Sequence, residues 1–447
     1  MTELAKNSEA LVVQLEAVDK FREAWPAMTV GERRAAFSSL SRTEAEELFL
    51  HLSATDQAEQ LADLSPAERR SWLRLLAPDD AADLIQSTGV EQRDAMLALL
   101  DSGTLREVTA LLAYAEDDAG GLMNPQFARL RPDMMVDEAI AYLRAQAKSR
   151  AETIYYGYVL DFEQRLLGVV SFRQLISAST DKRVRELMQT DVVTIPEHMD
   201  QEEVGQLFSQ NSLMAIPVLD QQGKMKGIVT VDDAVEVVQE EATEDIQKMG
   251  GTGALGEPYL KVGVAHMLRK RAGWLIFLFL GEMFTATAMQ YYAAEIERAV
   301  VLALFVPLII SSGGNSGSQA TTLIIRAMAL GEVRLRDWWR VFLKEVLAGL
   351  GLGLILGGIG FLRILLWPAR VSAYGEHYWL IAFTVAGSLL GVVLWGSLMG
   401  AMLPLLLRRL GFDPATASAP FVATLVDVTG LIIYFSVASQ ILAGTLL

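Results

Sequence analysis

The 447-residue chain contains no cysteine, which excludes disulfide bonds and metal sites built on thiolates. Histidine is almost as scarce, and the spacing of the four histidines is not typical of a metal site. They are His51, His198, His266 and His377. An excess of basic residues is also missing, because 54 acidic residues outnumber 38 basic ones and give a net charge of −16. This balance argues against a nucleic-acid partner and suits a cation as partner.

The chain also lacks an apolar signal-peptide core at its start, from Met1 to Lys6. Acidic residues are concentrated before about residue 250, and the chain becomes strongly apolar after about residue 272. We therefore expect an acidic N-terminal half that stays in the cytoplasm, followed by a membrane domain.

Five hydrophobic stretches follow residue 271. Each is long enough for a membrane helix, which needs roughly 20 residues. They cover approximately residues 272–294, 299–325, 341–367, 379–407 and 417–445. Basic residues are enriched on one side of these stretches, which predicts that this side is cytoplasmic. These basic residues are Arg269, Lys270, Arg271, Arg326, Arg334, Arg336, Arg340, Lys344, Arg408 and Arg409. The pattern predicts a multi-pass protein of the cell's inner (plasma) membrane, with its N-terminus inside and its C-terminus outside.

An acidic residue, Asp427, lies inside the last apolar stretch, and no Lys or Arg follows Arg409. A charge at membrane depth costs at least roughly 2.5 kcal/mol, so such residues usually face water or a partner. Asp427 is therefore either a protonated or water-bridged structural acid or a cation site that lines a pore. Glu282, in the first stretch, is a second membrane acid that could contact water or tune the pore.

Residues from about 8 to 118 have the pattern of short amphipathic helices. Ser65-Pro66 and Ala77-Pro78 are helix-start signals with proline in the first turn. The segment Ala58–Leu61 resembles Ala81–Leu84, which gives a period of about 23 residues and predicts a small helical superhelix.

A second repeat follows. Leu122-Met123-Asn124-Pro125 and Leu187-Met188-Gln189-Thr190 each open a unit with the pattern strand–helix–strand–strand–helix. This duplication resembles a tandem pair of CBS domains, which commonly bind adenine nucleotides such as ATP.

The ribose-binding pattern of such domains is Gly-x-x-Ser/Thr-x-x-Asp. The second unit contains it as Gly227, Thr230 and Asp233, whereas the first has Gln174 in place of the aspartate. The resemblance implies nucleotide-binding candidates in both units. They are Tyr156, Arg173, Thr230 and Asp233.

An acidic helical segment runs from Val231 to Met249, and Gly250 and Gly251 end it. Glu240 and Glu244 are four residues apart, a spacing at which like charges repel on a helix. The segment is either a solvated connector or a site where a divalent cation relieves the repulsion.

The stretch Ser311–Gln319 interrupts the second hydrophobic span with small and polar residues. Glycine permits either a local unwinding of a helix or a close approach of two helices.

With these segments together, the whole chain resembles the MgtE family of magnesium channels. The motifs that carry the resemblance are Glu241–Asp245, Gly313–Gln319, Asp337–Glu345 and Asp427–Gly430. The resemblance implies a multidomain fold with an all-α superhelical N domain, an α/β tandem CBS pair, an acidic connecting (plug) helix and a five-helix transmembrane domain. The corresponding ranges are 1–120 for the N domain, 121–180 and 181–239 for the CBS domains, 240–271 for the connecting helix and linker, and 272–447 for the membrane domain.

The resemblance further implies a homodimer in the lipid bilayer with a pore on its two-fold axis. The carboxylates of Asp427 from both subunits would hold a hydrated Mg²⁺, beside the backbone of Ala423. Some members carry Asn at the position of Ala419, so a side-chain amide is absent from this part of the pore.

The cytoplasmic half would sense internal Mg²⁺ and close the pore. The implied sensor acids are Glu47, Asp79, Asp83, Glu202, Asp220, Asp233, Glu236, Glu241, Glu244 and Asp245.

Other interpretations stay open at this point. A related transporter could carry another divalent cation such as Co²⁺, and CBS pairs also regulate anion channels and osmolyte transporters. A membrane enzyme is disfavoured by the absence of a catalytic constellation, and a sensor without transport activity remains an alternative.

Overall fold

The computed structural model describes residues 18–147 and 155–446. The chain forms two compact units, Met1–Glu240 and Glu241–Leu447. Two predictions concern the start of the chain: a cytoplasmic N-terminus without a signal peptide, and helices from about residue 8. Both fall partly on residues 1–17, which lie outside the described part.

Short helices make up most of residues 18–120, as predicted. Residues 18–24 are helical, and a 3-10 turn follows at Trp25–Ala27. The next eight helices are α1 Val30–Ser39, α2 Arg42–Leu50, α3 Ala54–Leu61, α4 Pro66–Leu73, α5 Pro78–Ser87, α6 Val90–Leu97, α7 Ser102–Leu111 and α8 Ala119–Leu122. Helices α3, α5 and α7 pack in succession, as the 23-residue period predicts. Pro66 and Pro78 occupy the first turns of α4 and α5.

Two similar α/β units follow. The first contains β1 Arg129–Leu130, α9 Val136–Ala147, β2 Tyr156–Leu160, β3 Leu166–Ser171 and α10 Phe172–Ser177. After α11 Val184–Leu187, the second contains β4 Ile195–Pro196, α12 Gln201–Asn211, β5 Ala215–Leu219, β6 Met225–Thr230 and α13 Val231–Met249.

In each unit the first strand pairs parallel to the second, and the second pairs antiparallel to the third. The shared register shift near the end of the second strand, after Val159 and after Val218, confirms the predicted duplication.

Five helices in the second unit are long and apolar enough to span a membrane. With their 3-10 extensions they cover Val264–Tyr291, Val300–Ala329, Leu335–Leu365, Tyr378–Arg409 and Ala419–Leu442. The corresponding α-helices are α14 Val264–Tyr291, α16 Val306–Ala329, α17 Trp338–Leu365, α19 Tyr378–Arg409 and α20 Ala419–Leu442. Two short helices lie between them, α15 Ala293–Arg298 and α18 Arg370–Tyr374. All five predicted spans are therefore present.

Of the two expectations for Ser311–Gln319, local unwinding or close helix packing, the structure shows packing, because α16 continues through this stretch. The glycines instead allow α16 and α19 to approach closely. A Cβ atom added at Gly400 would collide with the carbonyl oxygen of Gly317. At the same crossing, Thr321 Oγ1 donates to the carbonyl oxygen of Gly400 at 2.9 Å. Polar side chains in the stretch thus join helices rather than unwind one.

This packing predicts a large effect of Gly400→Val. The added side chain must displace the backbone of α16, and overpacking of this kind typically costs about 1–3 kcal/mol. We expect a clearly lower melting temperature of the purified protein in detergent. Gly351→Val on α17 is the matched control, because a Cβ atom there meets no atom within 4 Å. Equal melting temperatures for the two variants would contradict the packing role.

Candidate ion site and carboxylate clusters

Asp427 lies half-buried on α20, and the neighbouring helix leaves space beside its carboxylate. The facing residue on α16 is Gly314. A Cβ atom at Gly314 would lie 3.5 Å from the Cβ of Ala423 and 3.7 Å from Oδ1 of Asp427. Gly314 and Ala423 therefore form a small-residue wall next to the carboxylate, where a larger side chain would occupy the space. About one helical turn from Gly314 and Ala423, Ser318 Oγ donates to the carbonyl oxygen of Ala419 at 3.3 Å.

Hydrogen bonds hold α20 in place on both sides of Asp427. Ser418 caps its start and accepts a bond from Trp274 Nε1 at 3.1 Å. Trp395 Nε1 donates to Thr429 Oγ1 at 2.8 Å, and Tyr434 OH donates to the carbonyl oxygen of Leu302 at 2.8 Å. The carboxylate therefore projects from a helix with a well-defined position.

The charge of Asp427 has no basic partner among the described residues, none of which forms an ion pair with it. The carboxylate of Glu282 on α14 instead interacts with it as a like charge. Glu282 is exposed, and a Cβ atom at the preceding Gly281 would lie 3.0 Å from Thr424 of α20. The two membrane acids therefore create a negative region that would attract a cation.

In the first compact unit, the predicted sensor acid Asp83 lies in a carboxylate cluster. Burial, followed by the negative charges of Asp80, Asp233 and Glu236, raises the pKa of Asp83 to about 7. Burial and the charges of Glu236 and Asp232 also raise the pKa of Asp80. The structure thus brings together three predicted acids, Asp83, Asp233 and Glu236.

Sequence reasoning missed three members of this cluster, Asp80, Asp232 and Glu116. Asp80 and Asp83 are three residues apart on α5, a spacing that places side chains on one helix face and could have revealed the pair. Their partners on α13 are about 150 positions away in the sequence, so no local signal identified the meeting of the two helices. Asp79, also predicted, is buried in the first turn of α5.

The shifted pKa of Asp83 predicts a pH dependence of stability. Because its folded-state pKa rises from 3.8 to about 7, the folded chain retains a proton that the unfolded chain has lost. This stabilisation is complete below about pH 4 and is lost as the pH rises to about 7. In Mg²⁺-free buffer we expect the melting temperature of the full-length protein to fall across this range, and to fall less in Asp83→Asn, which cannot ionise.

The matched control for this measurement is Asp94→Asn, at an exposed position on the same helical domain. Its profile should follow that of the wild type. Parallel profiles for wild type and Asp83→Asn would show that Asp83 does not carry the effect.

Asp233 caps α13 together with Thr230. Its Oδ2 accepts the hydroxyl proton of Thr230 at 2.5 Å and the amide of Thr230 at 3.3 Å. Burial raises the pKa of Asp233 to about 6, although the bonds from Thr230 act in the opposite direction. In the first CBS domain, Gln174 forms the same cap with Ser171, whose amide and hydroxyl donate to Gln174 Oε1 at 2.8 and 2.9 Å. Glutamine therefore preserves the cap without the negative charge.

The other predicted nucleotide contacts lie in the first CBS domain. Tyr156 is half-buried on β2 and pairs in register with Ser171 on β3. Arg173 is exposed in the first turn of α10, next to the Ser171–Gln174 cap. Thr230 and Asp233 occupy the equivalent cap of the second domain.

Three predicted sensor acids lie on other elements. Glu47 is half-buried on α2, and Glu202 is exposed in the first turn of α12. Asp220 stabilises the turn after β5, where its Oδ1 accepts the amides of Gln222 and Lys224 at 2.8 and 2.9 Å. It also pairs with Lys226 at 3.3 Å. The side chain of Asp220 thus has a structural role, which is to stabilise this turn.

The second compact unit contains another charged cluster at the end of α13. Lys248 forms ion pairs with Glu244 and with Asp413 Oδ2, the latter at 2.6 Å. Burial, followed by the charges of Asp413 and Glu241, raises the pKa of Asp245 to about 6. Sequence reasoning missed Asp413, which lies 165 positions after Lys248.

The chain after α13 turns at Gly251, which has a φ of +73°. A Cβ atom there would lie 2.8 Å from Trp274 and 3.2 Å from Pro420, so only glycine fits without rearrangement. The end of α13 is therefore fixed beside Trp274 of α14 and the start of α20.

Within residues 18–147 and 155–446, no group of three or more His, Cys, Asp or Glu side chains is arranged to hold a metal ion. The carboxylate clusters nevertheless suit Mg²⁺ chemically, because their donors are oxygen atoms and their like charges repel. Mg²⁺ commonly retains several waters and uses only one or two carboxylates from a protein.

Comparison with known families and proteins covers most of the chain. The model of the MgtE divalent cation transporters matches residues 306–437, that of the MgtE intracellular N domain matches 18–117, and that of the CBS domain matches 119–181 and 184–240. The magnesium transporter MgtE of Thermus thermophilus is 44% identical over 371 residues, which are 81% of this chain and 79% of that protein. The magnesium transporter MgtE of Enterococcus faecalis is 35% identical over 75% of this chain and 71% of its own length.

Among solved structures, the cytosolic domain of the Mg²⁺ channel MgtE in complex with ATP is 36% identical. It covers 53% of this chain and 98% of its own, with a TM-score of 0.47. A match to inosine-5'-monophosphate dehydrogenase of Aquifex aeolicus spans only 27% of this chain and 24% of that enzyme, at 28% identity.

Proposed function

This chain belongs to the MgtE family of divalent cation transporters, and we propose on that premise that it carries Mg²⁺ across the cell membrane through a pore lined by Asp427. The observation that carries the proposal is the half-buried carboxylate of Asp427 on a membrane helix. The carboxylate has small residues beside it and no ion-pairing base among the described residues.

The proposed pore is formed by two copies of the chain, with Asp427 of each on the two-fold axis. Two opposed carboxylates can bind the water shell of Mg²⁺ without removing it, which suits an ion that gives up water reluctantly. Glu282 would add to the negative potential that concentrates cations near the site.

We propose that internal Mg²⁺ closes this pore by binding to the carboxylate cluster of Asp80, Asp83, Asp233 and Glu236. The environment of Asp83 and Asp233 supports this. Burial is the main cause of their raised pKa values, and the negative charges of neighbouring carboxylates raise them further. An ion between α5 and α13 would relieve that repulsion. It closes the pore only if it binds the closed arrangement more tightly than the open one.

Helix α13 provides a connection from this cluster to the membrane domain. It is one continuous helix of 19 residues, with Asp233 near its start and Lys248 near its end. The Lys248–Asp413 pair and the Gly251 turn attach its end beside the start of α20, the helix that carries Asp427. A shift of α13 would therefore reach the pore helix through direct contacts.

The proposed topology places the N-terminal half in the cytoplasm and the C-terminus outside. Two observations support it. The described residues contain five candidate spans, which is an odd number, and residues 18–117 match an intracellular domain. The basic residues Arg269, Lys270 and Arg271, near the N-terminal end of α14, agree with this orientation.

The experiment that tests transport is Mg²⁺ uptake into liposomes that contain the purified protein and a trapped magnesium dye. We expect uptake that saturates with external Mg²⁺ and is absent from empty liposomes. Parallel assays with Co²⁺ separate the proposal from its alternative, a transporter for another divalent cation. Faster Co²⁺ than Mg²⁺ uptake at equal concentration would favour the alternative.

We also propose that the CBS pair binds an adenine nucleotide, with one strong site per subunit. The support is the contrast between the charged Thr230–Asp233 cap and the neutral Ser171–Gln174 cap. A carboxylate can accept both ribose hydroxyl protons, which makes charge-assisted bonds stronger than those to an amide oxygen.

Calorimetric titration with ATP in Mg²⁺-free buffer should give at most one strong site per subunit. Asp233→Ala should weaken it about tenfold, the equivalent of one charge-assisted hydrogen bond. The matched variant Gln174→Ala should leave the strong site unchanged. Two equal sites per subunit, or equal effects of the two substitutions, would contradict the proposal.

A further inference from the structure

A cavity of about 270 Å³ lies between the helical domain and the first CBS domain, inside the first compact unit. Its wall is formed by the end of α4, the start of α5, the segment before α7 and the side chain of Gln126. Leucine residues, including Leu73, Leu76 and Leu99, form the apolar part of its wall, and polar residues form the rest. Its volume is just below the roughly 300 Å³ at which small-molecule sites typically begin, so it suits a small metabolite rather than a nucleotide.

Two arginines, Arg70 and Arg74, also line the cavity. Neither forms an ion pair with any residue in the described part of the chain. Arg70 Nε donates to the carbonyl oxygen of Leu99 at 3.2 Å, which fixes the guanidinium at the cavity wall. That bond uses one of the five N–H donors of the side chain. The remaining donors are available to a ligand.

One acid, Asp101, lines the same cavity. Its Oδ1 accepts the amides of Gly103 and Thr104 at 3.0 and 3.2 Å, and its Oδ2 accepts the hydroxyl of Thr104 at 3.0 Å. Asp101 is therefore engaged in capping α7. The cavity has two positive charges against one negative charge, in a chain whose net charge is −16.

We propose that this cavity binds a small organic carboxylate with an apolar body. The planar fork of an arginine matches a carboxylate with two parallel hydrogen bonds, and the leucines would cover the apolar part. The ligand would contact both the helical domain and Gln126 of the first CBS domain. It would therefore favour one arrangement of the two domains over others.

The test uses 4-fluorobenzoate as the probe and ¹⁹F NMR of the full-length protein in detergent, without Mg²⁺ or nucleotide. We expect saturable binding that unlabelled benzoate displaces and that empty micelles do not show. The double variant Arg70→Gln/Arg74→Gln should weaken binding about tenfold or more, because charge-assisted hydrogen bonds are lost. Both arginines are exposed, so the variant should fold normally.

The matched control is Arg106→Gln, an exposed arginine on α7 that does not line the cavity, and it should bind the probe as the wild type does. Hydrogen exchange gives an independent readout, with benzoate expected to protect residues 70–78 and 99–104. Absence of saturable binding, or equal binding by the double variant, would overturn the proposal. Equal displacement by benzyl alcohol would overturn the need for an anion, and equal displacement by inorganic phosphate would overturn the assignment to an organic carboxylate.

Discussion

Replacement of Asp427 by alanine is expected to reduce Mg²⁺ uptake into liposomes to the level of empty vesicles. The carboxylate is the charged group that the proposed pore offers to the ion at this depth. If its removal costs only about 3 kcal/mol of electrostatic stabilisation, the rate falls roughly a hundredfold. Asp427→Asn, which retains the shape but not the charge, should have the same effect. The measurement is the initial rate of dye-reported uptake.

Folding must be separated from transport in this experiment. The variants should elute from size exclusion at the position of the wild type and melt at a similar temperature. Glu332→Gln removes an exposed acid outside the apolar core of the spans and should transport normally. Uptake at the wild-type rate by well-folded Asp427→Ala protein would show that the ion takes another path.

The second large effect is expected from combined neutralisation of Asp79, Asp83 and Asp233. Without these carboxylates, internal Mg²⁺ has less differential affinity for the closed state, so it shifts the equilibrium less. The channel should stay open at high internal Mg²⁺, or close only at a concentration about tenfold or more above that of the wild type. Limited proteolysis provides the readout, because Mg²⁺ should protect residues 245–260 of the wild type and protect the variant less.

A control with the same change in net charge distinguishes the cluster from a general charge effect. Glu91, Asp94 and Glu203 are exposed acids in the same unit, and their combined neutralisation should leave Mg²⁺ protection unchanged. If cleavage of the wild type does not depend on Mg²⁺, the carboxylate cluster is a solvated scaffold rather than a sensor.

The sequence identified features that depend on local composition. Asp427 stood out because a charge in an apolar run is costly wherever the helix packs. The two CBS domains were recognisable because a duplication repeats its own strand and helix pattern, and the structure confirms it in the paired registers of β2 and β5.

Features that depend on distant partners were missed or left undecided. A glycine-rich stretch in a span has the same composition whether it unwinds or packs. Its close contacts with Gly396 and Gly400 on α19 show that α16 packs. The Lys248–Asp413 pair joins residues far apart in the sequence. Asp80 was overlooked because its significance comes from α13, a helix that begins only at the end of the second CBS domain.

The measurement that tests the central claim most directly is electrical recording from membrane patches that contain the protein, with the Mg²⁺ concentration varied on the cytoplasmic face. Our account predicts Mg²⁺ currents in Mg²⁺-free cytoplasmic solution that close at millimolar internal Mg²⁺. It also predicts that Asp427→Ala abolishes the current under both conditions. Currents whose open probability is independent of internal Mg²⁺, or that persist in Asp427→Ala, would contradict it.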